Sequence, residues 1–291
     1  MKFASYTAGQ GNRIGVQTAD GQLVDVAEIV AAAEGGVRDP LFADMIAMIE
    51  AGDAALARVK AALARAEANP AEVARIDVST ITYLAPVPRA SKLCCIALNN
   101  SANSDRIMSG PPHPALFIKA SNALVGHNDA IRLRDSYGRV HPEPELALII
   151  SKEAYEISAA EAYDYVYGYT VHNDITSPTM RGEDTFHYRA IHPSTEGEAE
   201  IKYVDTFATY PGRYKGSDTF SPMGPYLVTR DEIADPHSLA VTFKLGDTLI
   251  TEDNTANLTH KIPEALAFIT QYITLLPGDI VSMGTAIKRT N

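Results

Sequence analysis

The stretch HPEPELALII, residues 141–150, sets two glutamates one residue apart at the start of an apolar run. Side chains alternate along a strand, so Glu143 and Glu145 share a face, and His141 shares it with them. A second run, VYGYTVHND, ends in Asp174, with His172 on the same face as that aspartate. If the two strands lie near one another, three carboxylates converge at their ends. Uncompensated like charges in a cleft are costly, so such a cluster calls for a cation. A hard divalent ion suits an all-oxygen donor set: magnesium, manganese or calcium rather than zinc. Carboxylates on a solvated strand edge are the commoner origin of an ExE pair, and spacing alone leaves both readings open.

The elements that must hold these residues follow from hydrophobic period and turn chemistry. The segment KFASYT…RIGVQTADGQLVDVA reads as short strands, with Asp20-Gly21 a hairpin turn. DPLFADMIAMIEAG and AALARVKAALARAEAN have helical spacing, punctuated by Gly52 and Pro70. Pro86 and Pro88 stiffen a connector, which places a boundary between an N-terminal α+β domain, 1–84, and a second domain, 85–291. The second domain is a series of strands: KLCCIAL, ALFIKAS, ELALII, VYGYTVHN, MGPYLVT, LAVTFKL and DIVSMGT. Only two helices stand out there, one opened by the capping box at Ser158 and one led by Pro263. Many strands with few helices make a β-rich α+β fold, not a doubly wound sheet.

At 291 residues with 46% apolar and 21% charged residues, the chain has the make-up of a globular protein. Its net charge of −11 argues against nucleic acid as a partner, because phosphate neutralisation needs a basic face. No basic n-region followed by an apolar h-region opens the sequence, and no apolar run is long enough to span a bilayer. Cys94 and Cys95 are neighbours, so in a strand they face opposite ways and make poor disulfide partners. They read as small buried residues of a reducing, cytoplasmic setting.

EPELALII, GYTVHNDIT, YKGSDTFSPMGPYLVT and TLLPGDIVSMGT, in that order, resemble the motifs of the fumarylacetoacetate hydrolase family. The likeness runs from about residue 85 to 285, and the connector APVPRASKLCCIALN resembles the start of that family's catalytic domain. It implies a mixed β-roll, usually dimeric, in which Glu143, Glu145 and Asp174 bind Mg²⁺ or Mn²⁺. It also implies a substrate, a 2-oxo acid and typically an acylpyruvate, chelated through its carboxylate and keto oxygens. Lys119 and Lys215 match lysines that reach the site, where an ammonium can stabilise an enolate or oxyanion. Thr285 matches a threonine that lines the substrate carboxylate. Family members carry further strands after the GT motif, so residues 85–291 are expected to fall short of a full catalytic domain.

The departures bear on mechanism. The family's NYxxHxxE motif supplies a His–Glu pair that activates water, but the corresponding stretch here is ALNNSANSDRI. Asn103 falls at the histidine and Arg106 at the glutamate, and asparagine cannot act as a general base. Asp105, His141 and His172 are the nearby titratable substitutes, and Asn103 itself is placed to contact substrate. The arginine expected four residues after the aspartate is Pro178, and Arg181 stands ready to take over an anion contact. Residues 182–216 form a long, irregular insertion rich in tyrosine and histidine, suited to a lid or to a dimer-contact arm.

Three functions are compatible with these residues. The first is hydrolytic cleavage of a C–C bond in a 2,4-dioxo carboxylate, with Lys119, Lys215, Asp105 and His172 as catalytic groups. The second is isomerisation, decarboxylation or dehydration of a 2-oxo acid through an enolate, in which no water need attack. The third is a binder that keeps the metal cradle without turnover.

Overall fold

The computed structural model describes residues 1–9, 11–101, 107–108, 110–193 and 201–285. Its spine is an 11-stranded sheet, mostly antiparallel. At the centre, strand Pro144–Ile150 pairs antiparallel with Val166–Asn173 on one side and Ile280–Ser282 on the other. Ile280–Ser282 then runs parallel to Leu93–Ala97, which pairs with Ala115–Lys119 at the edge. In the other direction Val166–Asn173 meets Leu227–Thr229, and that strand joins Lys2–Thr7 through Lys2↔Val228 and Phe3↔Leu227. Strands from both sides of residue 84 therefore share one hydrogen-bonded sheet.

Both faces of the sheet are covered, which is why its middle strands read as apolar runs rather than alternating ones. Phe3, Val16, Cys95, Ala147 and Ile149 pack on one face with helices Val26–Ala33, Met45–Glu50 and Gly52–Ala68. Cys94, Leu148, Ile150 and Val281 pack on the other with helix Ile262–Thr270 and the 3₁₀ segment Ala159–Tyr165. The adjacent cysteines fall into different cores, as alternation requires, and neither is bonded. No helix among the described residues is long and apolar enough to cross a membrane.

Three local features differ from the sequence reading. Val26 and Ala27, read at the end of a strand-rich segment, open a helix over 26–33, because the Asp25 carboxylate accepts from the Glu28 amide and caps it. The capping box at Ser158 opens a 3₁₀ helix. The insertion is not irregular: Thr185–Pro193 and Ile201–Thr209 pair in register from Thr185↔Thr209 to Pro193↔Ile201. This hairpin is a separate two-stranded sheet, with Phe186 and Tyr188 exposed on one face and Ile191, Tyr203 and Phe207 on the other.

One buried anion pins the centre of the sheet. The Asp279 carboxylate accepts from the Ser91 hydroxyl at 2.6 Å, the Leu276 amide at 2.8 Å and the Lys92 amide at 3.2 Å, and pairs with the Lys92 ammonium. Removing one partner of a buried pair costs about 3–5 kcal/mol. Asp279→Ala is expected to lose stability of that order in urea unfolding; a loss under about 1 kcal/mol would show that the knot does not hold the strands.

Candidate metal centre and active-site cleft

Glu145 lies in strand Pro144–Ile150 opposite His172, and Glu143 just precedes that strand. The Asp174 amide donates to the Glu143 carbonyl at 2.8 Å, and the Glu143 amide to the Asn173 side chain at 3.0 Å. These backbone links hold Glu143 and Asp174 side by side. Glu143, Glu145 and Asp174 are the one group of three metal-ligating side chains among the described residues, each offering an oxygen within 4.8 Å of the others'.

Two ammonium groups face this triad. Lys119, at the end of edge strand Ala115–Lys119, is fully buried and donates to Asp174 Oδ1 and to the Phe220 carbonyl, each at 2.6 Å. Lys215, from the short helix Gly212–Gly216, donates to Glu143 Oε2 at 2.8 Å, to Asp174 Oδ2 and to Thr176 Oγ1 at 2.9 Å. The Phe117 ring lies 4.9 Å from the Lys215 ammonium. Burial disfavours the Lys215 charge, but Asp174, Glu143 and Glu145 outweigh it and hold the group protonated above the ordinary lysine range.

The carboxylates are unequal. Burial opposes the charges of Glu143 and Asp174, yet both stay below the usual range, Glu143 through His141 and Lys215, Asp174 through Lys119 and Lys215. Glu145 is pushed up to about 8 by burial and by its two anionic neighbours. It accepts from the Ser282 hydroxyl and from the Gly284 amide at 2.9 Å. Gly284 is fitted to that contact: its φ is +85°, and a Cβ there would meet the Ile96 carbonyl at 2.8 Å. Two ammonium groups thus leave three carboxylates short of balance. All the donors are oxygen, so the residues fit one further hard divalent cation.

The triad opens into a cleft of about 390 Å³, whose wall includes His141, Thr176, Arg181, Tyr214, Lys215 and Thr285. His141 Nε2 lies 2.9 Å from Glu143 Oε1. His172 is placed differently. It is wholly buried and absent from the cleft wall, and burial together with Lys119 lowers its pKa to about 3, so the ring is neutral. Its Nδ1 is 2.7 Å from Ser282 Oγ. With Glu145 ionised, the serine proton goes to Glu145, so Nδ1 donates to the serine and Nε2 is left without a partner among the described residues.

Of the residues singled out in the sequence, Glu143, Glu145, Asp174, Lys119 and Lys215 meet in one network, and Arg181 and Thr285 line the same cleft. Asn103 and Asp105 lie outside the described residues. Sequence reasoning missed Ser282, Gly284, Thr176 and Tyr214. The SMGT string held the signal for the first two, since a glycine after a buried strand often marks a close backbone approach.

Cation binding by the triad needs ionised Glu145, so in the metal-free protein it releases a proton below pH 8. Apparent Mn²⁺ affinity should therefore rise from pH 6 to pH 8, and calorimetry in buffers of different ionisation enthalpy should show about one proton released near pH 6.5. Glu145→Gln should abolish the thermal stabilisation that Mn²⁺ gives the wild type. An unchanged Mn²⁺ shift in that variant would remove Glu145 from the site.

The family model for the fumarylacetoacetate (FAA) hydrolase C-terminal region matches residues 92–289. The chain is 31% identical over 242 residues to a mitochondrial oxaloacetate tautomerase, Fahd2a of Rattus norvegicus, covering 83% of this chain and 68% of that one. It is 30% identical over 276 residues to a mitochondrial oxaloacetate tautomerase of Xenopus laevis, covering 94% and 75%. Among solved structures, maleylpyruvate hydrolase from Sphingobium sp. SYK-6, in complex with manganese(II) and pyruvate, superposes with a TM-score of 0.68 at 26% identity, covering 99% of this chain and 89% of that one.

Proposed function

The chain belongs to the fumarylacetoacetate hydrolase family of enzymes, and from that premise we propose that it is a Mg²⁺- or Mn²⁺-dependent hydrolase cleaving a C–C bond in a 2,4-dioxo carboxylate of acylpyruvate type. The supporting observation is the buried Glu143–Glu145–Asp174 triad, faced by two ammonium groups and opening into a cleft for a small molecule. A divalent cation held by the triad would supply Lewis-acid polarisation of a carbonyl oxygen. The chain's own groups do the rest. Water adds to the C4 carbonyl, the C3–C4 bond breaks, and its electron pair stays on the pyruvate fragment as an enolate that then takes a proton at carbon. Lys215, held as an ammonium at the cleft wall, stabilises the negative oxygen as charge develops there. Lys119, sealed behind Asp174, positions that carboxylate. Thr285 lines the cleft wall, and in this reading it contacts the substrate carboxylate.

A second reading is isomerisation, decarboxylation or dehydration of a 2-oxo acid through the same kind of enolate. One observation favours it: His172 is neutral and buried away from the cleft, so it cannot reach an attacking water. Product-resolved turnover with Mn²⁺, and again with a chelator, separates the two. Metal-dependent release of pyruvate and a second carboxylic acid from acylpyruvates is expected. Enol–keto exchange, carbon dioxide or a dehydrated product, with acylpyruvates left intact, would replace hydrolysis by the second reading.

We also infer a homodimer. An isolated two-stranded hairpin is marginal in water, and this one exposes Phe186, Ile191, Tyr203 and Phe207. Light scattering on the purified chain should give twice the mass of one chain at micromolar concentration; the mass of a single chain would end this inference.

A further inference from the structure

Glu145 is hydrogen-bonded through one oxygen only. Its Oε2 accepts from the Ser282 hydroxyl and from the Gly284 amide, while Oε1 accepts from no donor among the described residues. Both donors come from one short stretch of chain, since Ser282 ends strand Ile280–Ser282 and Gly284 follows two residues later. An oxygen that already accepts from two donors has little left for a cation, so Oε1 is the oxygen that remains for one. Ser282 is held in its turn. His172 Nδ1 lies 2.7 Å from Ser282 Oγ, and both side chains are wholly sealed from solvent.

The sheet explains how the histidine reaches the serine. His172 stands opposite Glu145 on one neighbouring strand, and Ser282 stands opposite Ala147 on the other. Ala147 shares the face of Glu145 and offers only a methyl there, so the imidazole crosses the central strand to meet the hydroxyl. Among the described residues that hydroxyl has one donor, His172, and one acceptor, Glu145, and its rotation is thereby fixed. The geometry points to Ser282 and His172 as positioning residues of the metal centre. The imidazole fixes the serine hydroxyl, the hydroxyl holds Glu145 by Oε2, and Glu145 meets a cation through Oε1 alone. Neither side chain is on the cleft wall, so both act through Glu145. A hydrogen bond that orients a ligand without touching the ion governs how tightly the ion is held. The role rests on the triad binding a divalent cation, but not on which reaction follows.

The test is a double-mutant cycle on Mn²⁺ affinity, measured by calorimetry, with the electron paramagnetic resonance spectrum of the bound Mn²⁺ as a second readout. Ser282→Ala should bind Mn²⁺ about 10- to 100-fold more weakly than wild type. At saturating Mn²⁺ it should also show an altered fine structure, because the symmetry of the ligand set has changed. His172→Leu should weaken binding by about 2- to 10-fold, the span of one neutral hydrogen bond. In the Ser282→Ala background the same histidine change should add nothing, since its effect passes through the serine. His172→Asn places an amide N–H where Nδ1–H stands, and should restore both the affinity and the spectrum of wild type. Wild-type affinity and spectrum in Ser282→Ala, full additivity of the two changes, or His172→Asn no better than His172→Leu would each overturn the assignment. Should Ser282→Ala lose its cooperative melt, the two histidine variants decide alone, and equal Mn²⁺ affinity in them overturns it. A wild type that binds no Mn²⁺ would remove the metal centre and this role together. Wild-type binding that Ser282→Ala leaves intact would keep the metal centre and remove only the positioning role.

Discussion

The burial of three carboxylates at one point of the sheet is the constraint around which the rest is arranged. Glu145 and Asp174 are almost wholly inaccessible, and the Glu143 side chain is partly buried, 19% exposed. Charges so placed persist only with partners, because desolvation of an unpaired ion exceeds what a small domain can offset. The partners come from distant parts of the chain. Lys119 approaches from the sheet edge, Lys215 from the helix after the hairpin, and Ser282 and Gly284 from the central parallel strand and the residues after it. A cluster tied together from three directions closes only when the whole sheet is in register. The electrostatics of the site and the order of the strands are therefore one problem.

That dependence explains which parts were legible in the sequence. Period-2 alternation sufficed to put Glu143, Glu145 and His141 on one face and to separate Cys94 from Cys95, because it needs only the local backbone. The same rule placed His172 with Asp174, but it could not say how deep the histidine lies. Depth comes from strand Ile280–Ser282, which covers His172 through Ser282, and strand adjacency is not written in local spacing. The helix Val26–Ala33 was obscured for a related reason. Its capping aspartate also ends strand Leu23–Asp25 and accepts from Tyr6 at 2.6 Å, so one residue serves two elements and local pattern shows only the strand.

The hairpin is a third case. HYRAI and KYVDTF alternate as strands should, yet histidines, tyrosines and an ion-paired Arg189–Asp205 gave no buried face to read. Its pairing is local, and neither face contributes to the cores of the main sheet. Pattern analysis keyed to a buried face passes over such an element. What the hairpin does contribute is its two ends. Helix Pro178–Glu183 leads into it and Gly212–Gly216 follows it, and these ends carry Arg181 and Lys215 into the cleft.

An insertion placed there sets part of the cleft wall, and through Lys215 it also reaches the charged centre. Glu143, Glu145 and Asp174 are fixed by the central strands and their backbone links, and Lys119 by the sheet edge. Arg181, Tyr214 and Lys215, in contrast, ride on the short helices before and after the hairpin. Buried charges tolerate little error in placement, and the triad and Lys119 are held by the sheet itself. The triad is thus fixed by the sheet, while one wall of the cleft and the Lys215 ammonium hang on the ends of the hairpin.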